Sequence, residues 1–348
     1  MSIATVSYVL NSNSEAISEQ VKARVWAAVR ALNYHRAAAA VSLARQRTRN
    51  IGVILYPVDS DLTNPFYSFV VQGVVREAME RDYNLLFSYI ESPYRDRRDL
   101  PKIVREANVV GVLFVGRVDP TMAHDIRALG ISVVGVDHPP SPEVPSIQID
   151  NRGGGELAAR HLLDLGHTSL AFVGRVERCW SIVERCDAFV ASLGRTVDKH
   201  VVSCASLTFH EGYVRSRELL MTNDHVTAVS CANDEVAAGV LRAVHELGRA
   251  VPGDVSVVGF DDIIMSNYTD PPLTTVGVAK ERMGRRAAGR LLEIIEGAGG
   301  EANEEVVPVQ MVIRSSTAAP RATIASNRAR PVVHGRGKPP TGASRGGR

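Results

Sequence analysis

SIQIDNRGGGELAARHLLDLGHTSLAFVG, residues 146–174, passes from a short apolar run through a turn into an amphipathic stretch, then into a second apolar run. The middle portion spaces its apolar residues at i, i+3 and i+4, the period of a helix packed on one face. The flanking runs are short, apolar and bounded by turn residues, as buried strands are. Strand, helix, strand is the unit of a parallel sheet, and the same alternation extends in both directions from this stretch. Upstream lie IGVILYP (from Ile51), NLLFSYI (from Asn84), VVGVLFVG (from Val109) and ISVVGV (from Ile131). Downstream lie HVVSC (from His200), TAVSCAND (from Thr227) and DVSVVGFDD (from Asp254). Near-continuous apolar strands are what a parallel sheet covered on both faces requires. Alternation with right-handed crossovers gives doubly wound α/β layers. There are enough strands for two such sheets, and the segment around Asp150 is the seam between them. The expected fold is therefore α/β, with two doubly wound Rossmann-like subdomains preceded by a small helical segment.

Doubly wound sheets bind ligands beyond the carboxyl ends of their strands. Polar residues collect at those ends: Asp59 and Asn64 after the first strand, Asp137 after ISVVGV, Asn233 and Asp234 after AVSCA, and Asp261 and Asp262 after VSVVGF. That pattern predicts a cleft between two lobes. No GxGxxG follows a strand and no GxxxxGK[ST] occurs, so a dinucleotide or triphosphate cradle has no support and no cofactor is expected.

The chain is 45% hydrophobic and 22% charged, ordinary for a globular protein with a sizeable core. No run approaches the roughly 20 apolar residues needed to span a bilayer. The opening residues lack the basic and apolar regions of an export signal, which points to a cytoplasmic protein without a membrane partner. The four cysteines show no CxxC pair or zinc spacing and read as buried reduced thiols. The net charge of +2 hides basic ends. Up to Asn50, Lys22, Arg24, Arg30, Arg36, Arg45, Arg47 and Arg49 face only Glu15 and Glu19, and the seven basic residues from Arg321 to Arg348 face no acid. Basic ends on a near-neutral body suggest nucleic acid.

The first fifty residues read as short helices. Ser2 can cap a helix to about Leu10, and residues 11–14 form a polar turn. Ser18 can cap a second helix with Val21, Val25, Val29 and Leu32 on its apolar face. The Ala-rich, then basic, stretch that follows suits a short helix that forms only when held. After Thr317 the composition is that of a disordered tail.

In this order, SIATVSYVLN (2–11), the Ala-rich segment before RTRNIGVI (47–54), NPFY (64–67), Asp150-Asn151, HLLDLGH (161–167), CANDEVAAG (231–239), PGDVSVVGFDD (252–262) and PPLTTV (271–276) followed by MGRRAAGRLL (283–292) resemble the LacI family of bacterial transcription repressors. The resemblance runs from Ser2 to about Ser316. It implies a headpiece over 1–35, a hinge over 36–50, and a first lobe of 51–150 plus about 279–305. A second lobe of 151–278 plus about 306–316 and a basic tail of 317–348 complete the division. The opening residues match the turn and second helix of a helix-turn-helix, so the headpiece is expected to lack its first helix.

The resemblance also assigns roles. Ile3, Ala4 and Tyr8 fall at base-reading positions; Ser2, Thr5, Ser7 and Asn11 fall at phosphate contacts; Leu43 matches a leucine wedged into the minor groove. Ile3 and Ala4 carry no hydrogen-bonding groups and would read thymine methyls or shape. In the cleft, Phe66, Tyr67, Ser181, Arg185, Phe209, Asn233, Asp234 and Asp261 match effector-facing positions. Each has a plainer reading. Phe66 or Tyr67 could pack in the core, Arg185 could be a surface cation, Asp234 could cap the following helix, and Asp261 could order its loop. His161 and His167 read as structural. The implied partners are operator DNA, a small sugar-like effector, and a second copy of the chain, as a dimer or a tetramer.

No HExxH or SxxK stretch is present, and adjacent carboxylates such as Asp261-Asp262 rarely converge on one bond, so an enzyme is not expected. The rival is a sugar-binding protein of the periplasmic type that does not bind DNA, since architecture alone does not separate the two.

Overall fold

A computed structural model describes residues 2–10, 17–32, 48–56, 62–90, 93–139, 141, 143–298 and 304–321. Two helices open the chain, α1 (Ile3–Leu10) and α2 (Glu19–Ala31). The first lobe follows: β1 (Asn50–Leu55), α3 (Pro65–Glu80), β2 (Asn84–Tyr89), α4 (Lys102–Arg105), β3 (Gly111–Val115), α5 (Pro120–Ala128), β4 (Ser132–Val136) and β5 (Ser146–Ile149). The second lobe holds α6 (Asn151–Asp164), β6 (Ser169–Arg175), α7 (Trp180–Ser192), β7 (Asp198–Ser203), α8 (Phe209–Thr222), β8 (Ala228–Cys231), α9 (Asp234–Glu246), β9 (Ser256–Asp261) and β10 (Thr274–Val278). Then α10 (Lys280–Ile295) and β11 (Glu304–Val307) return to the first lobe, and β12 (Val309–Val312) closes the second.

Each lobe is built on a six-stranded sheet, ordered β11-β5-β4-β3-β1-β2 in the first and β12-β10-β9-β8-β6-β7 in the second. All neighbours pair parallel except β10 with β12. The chain therefore crosses between lobes at Asp150, at Ala279 and at Pro308, so the lobes are tied by three short strands of backbone. The inner strands are buried along all but a terminal residue, as the apolar runs predict. NLLFSYI and HVVSC behave differently. They become the edge strands β2 and β7, where one neighbour is missing, and Phe87, Tyr89 and Val201 reach solvent.

Close helix packing relies on glycines where a side chain has no room. A Cβ on Gly73 would strike the carbonyl oxygen of Glu281, and one on Gly284 would strike that of Val70, so α3 and α10 lie backbone to backbone. In the 146–174 stretch, a Cβ on Gly155 would strike the carbonyl oxygen of Arg185. The seam helix α6 thus sits flush on α7 and fixes the height of Arg185.

At the amino end, Ser2 caps α1 through a bond from the Thr5 amide to its Oγ at 3.1 Å. Ser18 stands at the N-cap of α2 but its side chain makes no capping bond, and α2 stops at Ala31, leaving Leu32 77% exposed instead of on the apolar face. The described side chains here bury few apolar groups, chiefly Val9 and Val25. At about 1.5–3 kcal/mol per buried aliphatic side chain, that is a thin core beside those of the lobes. At the other end, Thr317 and Ala318, expected in the tail, are packed: they bond His161 at 3.0 Å and His167 at 2.9 Å. Both histidines are thereby structural. The rest of the tail, from 322 onward, lies outside the described residues.

Candidate effector cleft

The carboxyl ends of both sheets face one cavity of about 280 Å³. On the first-lobe side, Asn64 caps α3, its Oδ1 accepting from the Phe66 amide at 2.8 Å, and Pro65 sets the first helical turn. That cap turns Phe66 and Tyr67 toward the cavity, edge to face with centroids 5.0 Å apart. The Tyr67 hydroxyl donates to Asp137 Oδ2 at 3.2 Å. Asp137 follows β4 with φ 55°, a left-handed conformation that few non-glycine residues adopt.

The second-lobe side centres on Arg185, which is 4% exposed. Its Nε donates to Asn151 Oδ1 at 2.7 Å and its Nη1 to the Ala232 carbonyl at 2.8 Å. The guanidinium lies 3.7 Å from the centroid of the Phe260 ring. Asp261 Oδ1 stands 3.8 Å from Nη1, an ion pair without a hydrogen bond. Only two of the five guanidinium N–H groups are thus used by these bonds. Asp261 itself is held at φ 104°, and Lys280 Nζ braces the turn by donating to the carbonyls of Asp261 and Asp262. Non-glycine residues with such φ cluster at ligand sites, where the surroundings hold them in place.

Burial pushes the Asp261 carboxyl up to about 7, against the opposing pull of Arg185. It raises Asp137 as well, again opposed by Arg185, and lifts the Tyr67 phenol well above its usual range. The same desolvation lowers the Lys280 ammonium. One oxygen of each carboxylate, Asp137 Oδ1 and Asp261 Oδ1, is buried with no hydrogen-bond partner among the described residues. An unsatisfied buried acceptor costs about 1–3 kcal/mol, and two such oxygens from opposite lobes at one cavity are a demand for donors.

The lacI-family model of bacterial regulatory proteins matches residues 1–37, and the periplasmic binding protein-like domain matches residues 159–317. The regulator MalR of Streptomyces coelicolor is 33% identical over 333 residues, covering 91% of this chain and 94% of that protein. The chain belongs to the LacI family of bacterial regulatory proteins. The ribose operon repressor of Escherichia coli K12 is 32% identical, covering 85% of this chain and 90% of the relative. A lac repressor dimer bound to operator and the anti-inducer ONPF superposes with a TM-score of 0.78 at 26% identity, covering 92% and 96% of the two chains. As a LacI-family member the chain is a transcriptional regulator, with the two-lobed fold of that family.

Of the residues matched to the effector site of this family, Phe66, Tyr67, Ser181, Arg185, Asn233 and Asp261 line the cavity. Two others do not. Phe209 is the first residue of α8, 49% exposed, and faces a separate hollow beside Pro65 and Met265. Asp234 is buried beneath the cleft. It accepts from the Ile263 amide at 2.8 Å, Ser266 Oγ at 2.6 Å and Thr275 Oγ1 at 2.5 Å, which ties three segments together. Burial raises its carboxyl to about 6. The α9 cap belongs to Asn233, whose Oδ1 accepts from the Val236 amide at 2.8 Å. Sequence reasoning passed over Asp137 as an effector residue, Asn151 as the partner of Arg185, and Lys280. Asp137 had been marked by its strand-end position, whereas nothing in the sequence around Lys280 distinguishes it from a surface lysine of an amphipathic helix.

Of the residues that the resemblance matches to DNA contacts, Ser2, Ile3, Ala4, Thr5, Ser7 and Tyr8 lie on or at the start of α1, with the Tyr8 ring exposed. Asn11 and Leu43 lie outside the described residues. No described helix is long and apolar enough to cross a membrane.

Proposed function

We propose that this regulator is a repressor that binds a pseudo-palindromic operator as a dimer and responds to a small polyhydroxy effector held between its lobes. The observation that carries the effector class is the pair of buried, partnerless oxygens on Asp137 and Asp261, flanking a guanidinium with unused N–H groups. Hydroxyl groups donate to the carboxylates and accept from Arg185, while Phe66 and Tyr67 offer ring faces to the C–H surface of a sugar. Relatives support the class: a CelR structure holds cellobiose, and a LacI-family regulator from Enterococcus faecalis holds ribose. The match of the lacI-family model to residues 1–37 favours this reading over a sugar-binding protein without DNA contacts.

Effector binding sets the angle between the lobes, and with it the separation of two hinges in a dimer; that separation decides whether both headpieces reach their half-sites. A thermal-shift screen of mono- and disaccharides against nucleobases tests the effector class. A sugar at 100 times its Kd stabilises the chain by about 2.7 kcal/mol, a readily seen shift. Stabilisation by nucleobases and by no sugar would contradict the assignment.

A further inference from the structure

At the end of the second sheet opposite the cleft, three side chains of metal-ligating type converge. Asp198 and His200 stand two apart on the edge strand β7, so the pleat puts them on one face. His225 meets them from the turn that leads into β8. His200 Nε2 lies 3.1 Å and His225 Nε2 2.8 Å from the same atom, Asp198 Oδ2. The three candidate ligand atoms all lie within 4.8 Å of one another. Two ligands of a tetrahedral zinc ion, each about 2.0–2.1 Å from the metal, are roughly 3.3 Å apart. Small rotations of the half-buried His200 ring and the exposed His225 ring therefore suffice to seat an ion among these atoms.

We propose that Asp198, His200 and His225 form a binding site for a divalent transition-metal ion of the zinc class, with its remaining positions open to water. Two imidazoles and one carboxylate are a donor set that such ions favour over magnesium or calcium, which prefer all-oxygen shells. The surroundings fit as well. Ser169 Oγ donates to Asp198 Oδ2 at 2.9 Å and holds the carboxylate in place. His225 Nδ1 faces Asp224 Oδ1 at 3.9 Å, so that when Nε2 faces a metal the proton on the other ring nitrogen points at a carboxylate, the usual outer support of a histidine ligand. The ion would clip the exposed edge strand to the turn ahead of β8. It would sit a full strand length from the effector cavity, at the amino ends of strands whose carboxyl ends line the cleft.

The test uses the full chain without a histidine tag, stripped by chelator and dialysed against zinc chloride. Wild type is expected to bind one more zinc ion per chain than the H200Q/H225Q variant, and D198N is expected to weaken binding by at least about tenfold. Zinc should raise the melting temperature of wild type but not of the double variant, and EDTA should reverse the rise. Cobalt loaded at the site should show d–d bands without thiolate charge transfer, which separates it from the cysteines. The side chains are on the surface, so equal melting temperatures of the metal-free proteins are expected; H225Q alone serves if the double variant misfolds. Equal zinc stoichiometry and affinity in wild type and variant would overturn the proposal, as would a thiolate band or the absence of zinc binding by wild type.

Discussion

The first-lobe wall of the cleft offers two aromatic rings and a carboxylate whose second oxygen is held by a phenol, whereas the second-lobe wall offers a buried guanidinium, an amide and a carboxylate on a left-handed turn. Among the described lining residues the first wall has no cation, and the second has no aromatic side chain. A ligand touching one wall leaves an orphan carboxylate oxygen on the other, since Asp137 Oδ1 belongs to the first lobe and Asp261 Oδ1 to the second. Only a bridging ligand satisfies both. Across the gap Asn64 Nδ2 donates to Glu235 Oε2 in a long bond of 3.4 Å, and Lys280 at the start of α10 braces the carbonyls of Asp261 and Asp262. A ligand that spans both walls would add to these links, which is the basis of the proposed coupling between effector and lobe angle.

The sharpest way to break this asymmetry is Arg185→Ala, which removes a buried guanidinium bonded to Asn151 at the lobe seam and to the Ala232 carbonyl beside the cleft. Effector affinity should fall by about 100-fold or more, as loss of charge-assisted bonds in a buried site implies, with operator binding near wild type. Loss of both in parallel titrations would mean that Arg185 serves the fold alone. Asp261→Asn acts on the same wall through pH. The folded carboxyl titrates near 7 and the unfolded one near 3.9, so between those values the folded state binds the extra proton. Wild-type stability should thus decline as pH rises from about 4 to about 7. Asp261→Asn should flatten that decline by on the order of 2 kcal/mol in urea unfolding at pH 5 and pH 8. An unchanged slope would show that Asp261 is not the titrating group.

On the first wall, Tyr67→Phe keeps the ring and deletes the hydroxyl that orients Asp137. We expect effector affinity to drop about fivefold to tenfold, the worth of one hydrogen bond to a charged acceptor, with stability changed by about 1 kcal/mol at most. Calorimetric titration would show the drop as lost affinity at unchanged stoichiometry. Smallest is Glu235→Gln, which tests the long link between the lobes. A change within about threefold is expected, because a 3.4 Å bond contributes little. A large effect would mean that the lobes hold themselves closed without ligand.

The fold was legible because buried parallel strands are written as unbroken apolar runs, and because the 146–174 stretch shows where one sheet ends and the next begins. Which strands were edges was not legible. NLLFSYI is as apolar as its inner neighbours, and its place is set by pairing order, a long-range property. Asn233 and Asp261 stand at strand ends and line the cavity as strand-end residues do, whereas Arg185, within α7, was singled out only by the family resemblance. Asp234 differs from Asn233 by one position, yet the turn sends one to the cavity and the other beneath it, to hold Ile263, Ser266 and Thr275. Only the three-dimensional turn decides that. Phe209 was misplaced for a similar reason: the loop before α8 carries Ser206, Leu207 and Thr208 to the cavity and leaves the ring outside it.

The central claim is that cleft and operator are coupled through the lobe angle, and linkage makes it directly measurable. Effector affinity of the full chain, titrated without and with saturating operator duplex, should differ by about 5- to 150-fold, the same factor by which effector changes operator affinity. Identical effector affinities in the two titrations would contradict the account.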